Sequence, residues 1–348
     1  MTQPFVSKFG SLPTGEEVYC ITLQNSYLSC EVITFGAAIR TLIVPDRDGN
    51  PTDIVLGYDT LDQYLNEDGY LGATIGRVAN RIAGGSFQLN GQAYSLPIND
   101  GNNHHHGGPV GFSHRLWSIE RVASDSAVLS LSSTDGEQGY PGNMKVTVEY
   151  ILQENALIVH HTAMSDADTL CSLTNHSYFN LSGHNSGVVL DQKVLLFAHE
   201  YTPSNEEGIP IGTIEPVEST PMDLRELLPI GTHIHDPYWQ LQQARGYDHN
   251  YIVNGAVGSL RPAAMAVSDA TGITLKVDTT MPGIHFYTAN YLSEGLIGKG
   301  SCAYGPRHAF CLETQYYPDG IHHPAFPSPV LRAGEIYDHC TTFTFTAR

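Results

Sequence analysis

Short apolar stretches separated by turns rich in glycine and proline recur along almost the entire chain. Within each stretch, apolar and polar side chains alternate with a period of two or form a brief apolar run, which is typical of β-strands. No segment keeps an apolar period of 3.6 residues, so no long amphipathic helix is expected. The predicted strands are 28–34, 38–44, 86–89, 116–122, 127–131, 145–152, 156–163, 193–197, 251–253, 263–267, 273–277, 283–288, 309–313 and 340–345.

Helices are expected only as minor elements. The two candidates, 60–66 and 223–228, are about two turns long each. Strands and helices do not alternate along the chain, so a parallel α/β sheet has no support. The sequence therefore predicts an all-β sandwich with only short helices.

The length of 348 residues bears on domain number. At about 150 residues per domain it suggests two domains, although all-β sandwiches of about 250 residues occur as one. Pro/Gly clusters such as 139–142 and 203–212 are short and spaced like strand connections, not like linkers. No repeat of about 20 to 50 residues is visible, which argues against a propeller. We expect a single domain spanning residues 1–348.

The charge balance excludes several classes of partner. With 17 Lys and Arg against 36 Asp and Glu, the formal net charge is −19. Such a surface repels nucleic acid, anionic membranes and phosphate-rich ligands. No stretch approaches the ~18 apolar residues of a membrane-spanning helix. The expected partner is a neutral small molecule, bound by a monomer or homodimer.

The N-terminus and the cysteines favour a cytoplasmic location. Residues 1–10 lack the basic and apolar regions of a secretory signal. No two cysteines form a CxxC pair, so reduced structural thiols are expected in place of a disulfide framework. The six cysteines are Cys20, Cys30, Cys171, Cys302, Cys311 and Cys340.

Seventeen histidines raise the question of a metal site. Neighbouring positions on a strand point to opposite faces, so runs such as 104–106 and 160–161 rarely converge on one ion. The sequence contains no HExxH, EF-hand, P-loop or GxSxG pattern. The glycine-rich segment 293–301 matches no phosphate-binding motif and is predicted to be a loop. We expect neither a metal nor a cofactor.

Five segments place polar or charged groups in apolar or glycine-rich surroundings, where an unpaired polar group is costly. They are 76–82 (GRVANRI), 102–108 (ending HGG), 174–181 (TNHSYFNL), 246–250 (GYDHN) and 313–319 (ETQYYPD). Together and in this order, they resemble the galactose mutarotase (aldose 1-epimerase) family. The resemblance implies a large antiparallel β-sandwich that interconverts the α and β anomers of a free aldose, galactose or glucose.

This reaction has simple chemical requirements. A base takes the proton of the C1 hydroxyl while an acid protonates the ring oxygen, and the sugar opens to an aldehyde that closes again on its other face. One carboxylate and one imidazole suffice, because both exchange protons near neutrality. The resemblance implies that Glu313 is the base and His176 the acid. Without it, Glu313 could be an ion-paired core residue and His176 a hydrogen-bonded strand residue.

The resemblance also implies a set of substrate-binding residues. Asn80 and Arg81 would bind sugar hydroxyls, Asp248 would accept hydrogen bonds on the far side of the ring, and His106 would be a second histidine near the reacting oxygens. His285 stands where many mutarotases carry Gln. Because an imidazole cannot present both amide functions at once, His285 places the identity of the preferred sugar in doubt.

Other residues of these segments have more ordinary expected roles. Either Tyr178 or Phe286, or both, could offer an apolar ring face to the sugar. Arg77 is expected to be structural, and His104 and His105 to lie on a loop surface. The two tryptophans, Trp117 and Trp239, are expected to pack in or near the core.

The sequence also bears on four alternative functions. A non-catalytic sugar-binding protein would need many of the same donors but no acid/base pair. A glycoside hydrolase would use two carboxylates, for which Glu313 and Asp248 are available. An epimerase acting on a different sugar remains open, whereas a sugar-phosphate epimerase needs a basic cluster that this acidic chain is not expected to contain.

Overall fold

The computed structural model describes residues 5–66 and 69–348. This part of the chain forms two short α-helices, α1 (Leu61–Asn66) and α2 (Trp239–Gln243), and thirty strands. In chain order the strands are β1 (Phe5–Ser11), β2 (Glu17–Gln24), β3 (Ser29–Ile33), β4 (Ala38–Pro45), β5 (Pro51–Asp53), β6 (Thr74–Ile75), β7 (Arg81–Ile82), β8 (Ser86–Leu89), β9 (Gln92–Ser95), β10 (His104–His105), β11 (Ser118–Val122), β12 (Ser126–Ser133), β13 (Met144–Gln153), β14 (Ala156–Ser165), β15 (Thr169–Leu170), β16 (Thr174–Asn175), β17 (Tyr178–Phe179), β18 (Lys193–Leu196), β19 (Ala198–Thr202), β20 (Glu215–Pro216), β21 (Leu228–Pro229), β22 (Asp248–Val253), β23 (Arg261–Val267), β24 (Ile273–Thr279), β25 (Gly283–Tyr287), β26 (Leu296–Ile297), β27 (Ala303–Tyr304), β28 (Phe310–Gln315), β29 (Val330–Leu331) and β30 (Ile336–Ala347).

Three larger sheets contain most of the long strands. Their strand orders are β1-β2-β3-β4-β5, β17-β28-β25-β22-β19-β20 and β11-β12-β13-β14-β30-β24-β23-β18-β21. Neighbouring strands in all three run antiparallel. The prediction of a large antiparallel all-β protein with short helices is confirmed.

The six-stranded and nine-stranded sheets pack face to face. The ring of Phe179 in β17 lies 5.4 Å from that of Phe343 in β30, across the gap between the sheets. One continuous apolar cluster joins Phe286 and Leu312 of the smaller sheet to Leu275 of the larger one. Burial of this shared apolar layer is the main favourable contribution to folding, at roughly 25 cal/mol per Å² removed from water.

The period-two patterns identify the strands of the nine-stranded sheet well. The predicted strands 145–152 and 156–163 appear as β13 and β14, which pair along ten residues each. In β13, buried and more exposed residues alternate over nearly its whole length, because one face packs on the core and the other meets solvent.

One helix prediction is confirmed and the other is wrong. Helix α1 covers most of 60–66, and Thr60 and Gln63 form a reciprocal capping box at its start. Segment 223–228 is not helical, because Asp223 accepts hydrogen bonds from the backbone and side chain of Arg225. Such local side-chain bonds compete with helix formation. No helix in the described part of the chain is long and apolar enough to cross a membrane.

Arg77 is a structural residue, as predicted from its setting. Its side chain is buried, and its guanidinium donates hydrogen bonds to the carbonyls of Ser133, Thr134, Pro141 and Gly142. Burial lowers the pKa of this guanidinium, because it disfavours the charged form. The four carbonyls offset part of this cost by accepting its hydrogen bonds. Arg77 therefore holds the connection between β12 and β13 against the core.

Replacing Arg77 by Met should lower the free energy of unfolding by at least about 3 kcal/mol, because several buried carbonyls would lose their donors. Urea denaturation followed by circular dichroism measures this change. The matched control is Arg121→Met, which removes an exposed arginine and should change stability by no more than about 0.5 kcal/mol. Equal stability of the two variants would contradict the structural role of Arg77.

Candidate active site

A cavity of about 620 Å³ opens on the face of the six-stranded sheet that points away from the core. This volume lies within the ~300–1,000 Å³ range of small-molecule sites. The cavity brings together all seven residues that the sequence proposed for the site: Asn80, Arg81, His106, His176, Asp248, His285 and Glu313.

Strand register explains how three of these residues meet. On β25 and β28, His285 is directly opposite Glu313, and on β22 Asp248 is opposite Tyr287. Side chains alternate between the two faces of a sheet, so Phe286, between His285 and Tyr287, points the other way into the core. All of β25 and β28 is buried, because the core covers one face and the site covers the other.

Glu313 is 2% exposed, and its Oε2 has no hydrogen-bond partner within the described protein. Oε2 lies 3.5 Å from Nε2 of His176. Burial raises the pKa of Glu313 well above its ordinary value, the charge of Asp248 raises it further, and that of Arg81 opposes the change. Glu313 is therefore a stronger base than an ordinary carboxylate.

His176 lies in the short connection between β16 and β17. Its amide donates to the carbonyl of Ala73, and its ring stacks on Tyr178 with centroids 5.0 Å apart. Burial lowers the pKa of His176 to about 3. Burial favours the neutral forms of both His176 and Glu313, so a single proton shared by the pair lies on Glu313 in preference to His176.

Asp248 differs sharply from Glu313. Burial alone would raise its pKa, but the hydrogen bond from His285 and the nearby charges of His285 and Arg81 bring it to about 2. The bond joins Nε2 of His285 to Oδ1 of Asp248 over 2.7 Å. Two carboxyl groups whose pKa values move apart are typical of an acid/base site, in which one stays ionised and the other exchanges protons.

Arg81 lies on β7 at the rim of the cavity. Its Nε donates to Oδ2 of Asp100 over 2.7 Å, and its backbone amide donates to Oδ1 of Asn80. Gly208 packs against its guanidinium, where a Cβ would lie 2.9 Å from Nη1. The glycine thus allows the loop around 208 to cover one side of Arg81 and leaves the other side to the cavity.

His106 and Asn80 hold each other in place. The amide of Asn80 donates to Nδ1 of His106, and the amide of His106 donates to the carbonyl of Asn80. The next residue, Gly107, packs closely against protein backbone, because a Cβ there would lie 1.8 Å from the carbonyl oxygen of Gly76.

Two sequence expectations about neighbouring residues are wrong. His104 and His105 were expected on a loop surface, but His104 is fully buried, and the ring of His105 lies 3.7 Å from that of His106 at the cavity wall. Phe286 was offered as a ring face for the sugar, but it lies in the core. The other candidate, Tyr178, does line the cavity.

Several cavity residues escaped the sequence analysis. Tyr287 could have been found, because it lies two positions after His285 on the same strand and therefore on the same face. No local pattern marks the others as cavity residues, since separate loops bring them in. They include Tyr70, Asp100, Asn205, Glu206, Glu207, Gln243 and Tyr291.

The cavity also contains three groups that could hold a metal ion. Donor atoms of His106, His176 and Glu313 lie within 4.8 Å of one another. Two imidazoles and a carboxylate are a common ligand set for transition metals. Because Nδ1 of His106 already accepts a hydrogen bond from the amide of Asn80, only its Nε2 is available to such an ion.

Comparison with known proteins identifies the family. The sequence profile described as aldose 1-epimerase matches residues 19–344. The chain belongs to the aldose 1-epimerase family. It is 43% identical over 339 residues to the galactose mutarotase of Homo sapiens, with 97% of each chain covered. It is 34% identical over 339 residues to the aldose 1-epimerase of Escherichia coli, covering 96% of this chain and 97% of that protein.

A solved structure agrees with this assignment. The galactose 1-epimerase of Lactobacillus acidophilus superimposes with a TM-score of 0.87 at 28% identity, covering 99% of both chains. The family predicted from the five segments is confirmed, and the protein is an isomerase that interconverts the anomers of an aldose.

Proposed function

We propose that this aldose 1-epimerase acts on a free hexose, galactose or glucose, with Glu313 as the base and His176 as the acid. The observation that carries the proposal is the buried pair itself. Glu313 Oε2 and His176 Nε2 are 3.5 Å apart at the cavity wall, and their pKa values are shifted in opposite directions. Such a pair can pass one proton through a bound sugar.

Ring opening moves one proton at each end of the hemiacetal. The step starts from the form in which the proton of the pair has passed from Glu313 to His176, whose Nε2 lies 3.5 Å from Oε2 of Glu313. Glu313, as carboxylate, takes the proton of the C1 hydroxyl, while protonated His176 gives its proton to the ring oxygen as the C1–O5 bond breaks. The products are an open-chain aldehyde, a protonated Glu313 and a neutral His176, which are the forms that burial favours.

Ring closure reverses these transfers on the other carbonyl face. After rotation about C1–C2, His176 takes the proton of the C5 hydroxyl as its oxygen attacks C1, and Glu313 returns its proton to the C1 oxygen. The pair then holds the same proton as before, so the cycle consumes nothing. The low-dielectric setting keeps the proton between these groups and the sugar.

Ionised groups at the cavity wall are suited to bind the remaining hydroxyls. Asp248, with its pKa near 2, accepts hydrogen bonds, and His285 holds it in place. Arg81 and Asn80, which also line the cavity, supply donors. The ring of Tyr178 offers an apolar surface to the C–H face of the sugar.

Charge at the cavity favours a neutral sugar over a phosphorylated one. The carboxylates of Asp100, Glu206, Glu207 and Asp248 line the cavity, and Arg81 is already paired with Asp100. A phosphate group would meet net repulsion here.

Polarimetry on freshly dissolved α-D-galactose and α-D-glucose tests the proposal. The rate of approach to the equilibrium rotation should rise in proportion to enzyme concentration for at least one sugar. Methyl α-D-galactopyranoside, which lacks a free C1 hydroxyl, is the control and should stay unchanged. An unchanged rate for both free sugars would contradict the proposed function, and hydrolysis of the glycoside would favour a glycosidase.

We further propose that residues 1–348 form one catalytic domain that works in the cytoplasm as a monomer or homodimer. The family match, which spans most of the chain, supports the single domain. All six cysteines are free thiols, which supports a reducing compartment.

His285→Gln should change the ratio of kcat/KM between galactose and glucose by about 2- to 13-fold, the worth of one net hydrogen bond of about 0.5 to 1.5 kcal/mol. The reason is that Gln presents one donor and one acceptor group where His285 is committed to Asp248. Initial rates on a panel of aldoses measure the ratio. Identical ratios in the two proteins would mean that His285 does not select the sugar.

A further inference from the structure

Four buried polar side chains lie together on the cavity face of the six-stranded sheet. Asn250, His285 and Glu313 are side by side on β22, β25 and β28, since Asn250 is opposite His285 and His285 is opposite Glu313. Gln315 is two positions after Glu313 on β28 and is therefore on the same face. Each of these side chains is at most 5% exposed. The sheet thus gathers four polar groups at one place away from bulk solvent.

Several polar atoms of this group have no hydrogen-bond partner within the described protein. They are Oδ1 of Asn250, Nδ1 of His285, Oε2 of Glu313, and both Oε1 and Nε2 of Gln315. A buried polar atom that stays unpaired is costly, so nearly all such atoms in folded proteins pair with protein groups or with ordered water. The concentration of unpaired atoms at one place therefore indicates a bound polar molecule.

Gly283 lies in the middle of this group. It is opposite Gln315 on the neighbouring strand, and it precedes His285 by two positions on β25. A Cβ at Gly283 would clash with Oδ1 of Asn250 and would lie 3.0 Å from the ring of Tyr317. The glycine thus leaves space on the cavity face of the sheet, and Asn250 leans into this space towards Gln315.

The unpaired atoms offer more acceptors than donors. Oδ1 of Asn250 and Oε2 of an ionised Glu313 only accept hydrogen bonds. Nε2 of His285 donates to Asp248, so Nδ1 of the neutral ring is a third acceptor. Acceptors cannot pair with one another, whereas a water molecule donates two hydrogen bonds and accepts others from an amide such as that of Gln315. Same-face neighbours on one strand are ~6.6 Å apart, a span that one water can bridge.

We propose that ordered water between Asn250, Glu313 and Gln315 occupies a site behind the sugar cavity, and that Gln315 positions the carboxylate of Glu313 through this water. This inference rests on the proposed function. Asn250 and Gln315 do not line the cavity, so a bound sugar leaves the water in place. The water donates to Oε2 of Glu313 and leaves the other carboxylate oxygen to the C1 hydroxyl. Gln315 is a positioning residue, because it touches neither the sugar nor the reacting atoms.

High-resolution crystallography of the sugar-free protein tests the water site without any measurement of activity. We expect electron density for a water within about 3.2 Å of both the amide of Gln315 and Oε2 of Glu313. Gln315→Met should lose this water, because methionine has a similar length but no amide. Direct hydrogen bonds from Gln315 to other protein groups, with no water between them, would overturn the proposal.

Kinetics test the positioning role. Gln315→Met should lower kcat by about 10-fold with a change in KM below about 2-fold, because a misdirected base slows the proton transfer more than it weakens sugar binding. Gln315→Asn keeps an amide, and a second water can replace the missing methylene. Its kcat should exceed that of the Met variant by at least about 3-fold. A wild-type kcat in Gln315→Met would overturn the proposal.

Gln192→Met is the matched control. Gln192 is also buried, but its Oε1 accepts from the amide of Leu181 and its Nε2 donates to Oδ1 of Asn180. This variant should lower the melting temperature more than Gln315→Met does, because it breaks hydrogen bonds within the protein, yet it should keep the kcat of the folded enzyme.

An equal loss of kcat in Gln192→Met and Gln315→Met would leave Gln315 only a structural role and overturn the proposal. A wild-type protein without mutarotation would overturn the proposed function and the positioning role together. Crystallography would still decide the water site in that case.

Discussion

Glu313→Gln should lower kcat for mutarotation by at least about 10²-fold, the scale of general acid–base catalysis by one side chain. The amide keeps the shape and the polarity of the carboxyl group but cannot take the proton of the C1 hydroxyl. Sugar binding should persist, because Asp248, Arg81 and the ring of Tyr178 are unchanged. Polarimetry gives kcat, and isothermal titration with galactose gives the affinity.

Stability of the same variant provides an independent check. The pKa of Glu313 is raised in the folded state, so its carboxyl group favours folding most at low pH, where it is protonated in both states. As the pH rises above the unfolded pKa, the buried group increasingly opposes folding. The melting temperature of Glu313→Gln relative to wild type should therefore increase between pH ~4 and ~7.

A second glutamate-to-glutamine substitution, outside the cavity, shows whether the loss of kcat is specific to position 313. Glu149→Gln alters a glutamate of the nine-stranded sheet that pairs with Arg121 and does not line the cavity. It should leave kcat unchanged. Near-normal turnover in Glu313→Gln would assign the role of base to another group.

His176→Asn should be similarly damaging, with a loss of about 10²-fold or more in kcat, because asparagine cannot exchange a proton with the ring oxygen. The pH profile should change in a defined way. In the wild-type enzyme, protonation of His176, with a pKa of about 3, adds a second proton to the pair and should lower kcat/KM at the acidic end. After subtraction of the uncatalysed rate, the variant should lack this limb near pH 3 and should instead lose activity as Glu313, whose pKa is raised, becomes protonated.

His161→Asn is the control for this prediction. His161 is also a buried histidine whose pKa burial lowers to about 3, but it lies on β14 of the nine-stranded sheet. Its replacement should preserve both kcat and the acidic limb. If His176→Asn kept most of its activity, or kept the acidic limb unchanged, His176 would not be the acid.

The alternation of side chains was enough to predict most of the fold. A strand with one face on the core and one in water shows its period in the sequence, as β13 and β14 do. The helix predicted at 223–228 does not form for a local reason, because Asp223 accepts a hydrogen bond from nearby Arg225 and so short a helix cannot outweigh that contact.

The site was predictable in its members but not in its arrangement. Polar residues in apolar segments, such as Glu313 in β28, mark positions where a buried polar group must either be paired or serve a function, because burying it alone is costly. Every residue of β25 is buried, so no period of apolar and polar residues shows which of its side chains face the cavity. Alternation from His285, already assigned to the site, would have excluded its neighbour Phe286 and identified Tyr287.

The sequence by itself determined the strand-rich architecture, the family and the seven residues of the candidate site. Only the tertiary structure decided the depth of burial, and with it the opposite pKa shifts of Glu313 and His176. It also decided the hydrogen bond that Nδ1 of His106 accepts from the amide of Asn80, 26 positions earlier in the chain. The physical reason is that strand patterns come from local alternation, whereas pKa values and such hydrogen bonds depend on solvent exclusion and on neighbours that only the folded chain brings together.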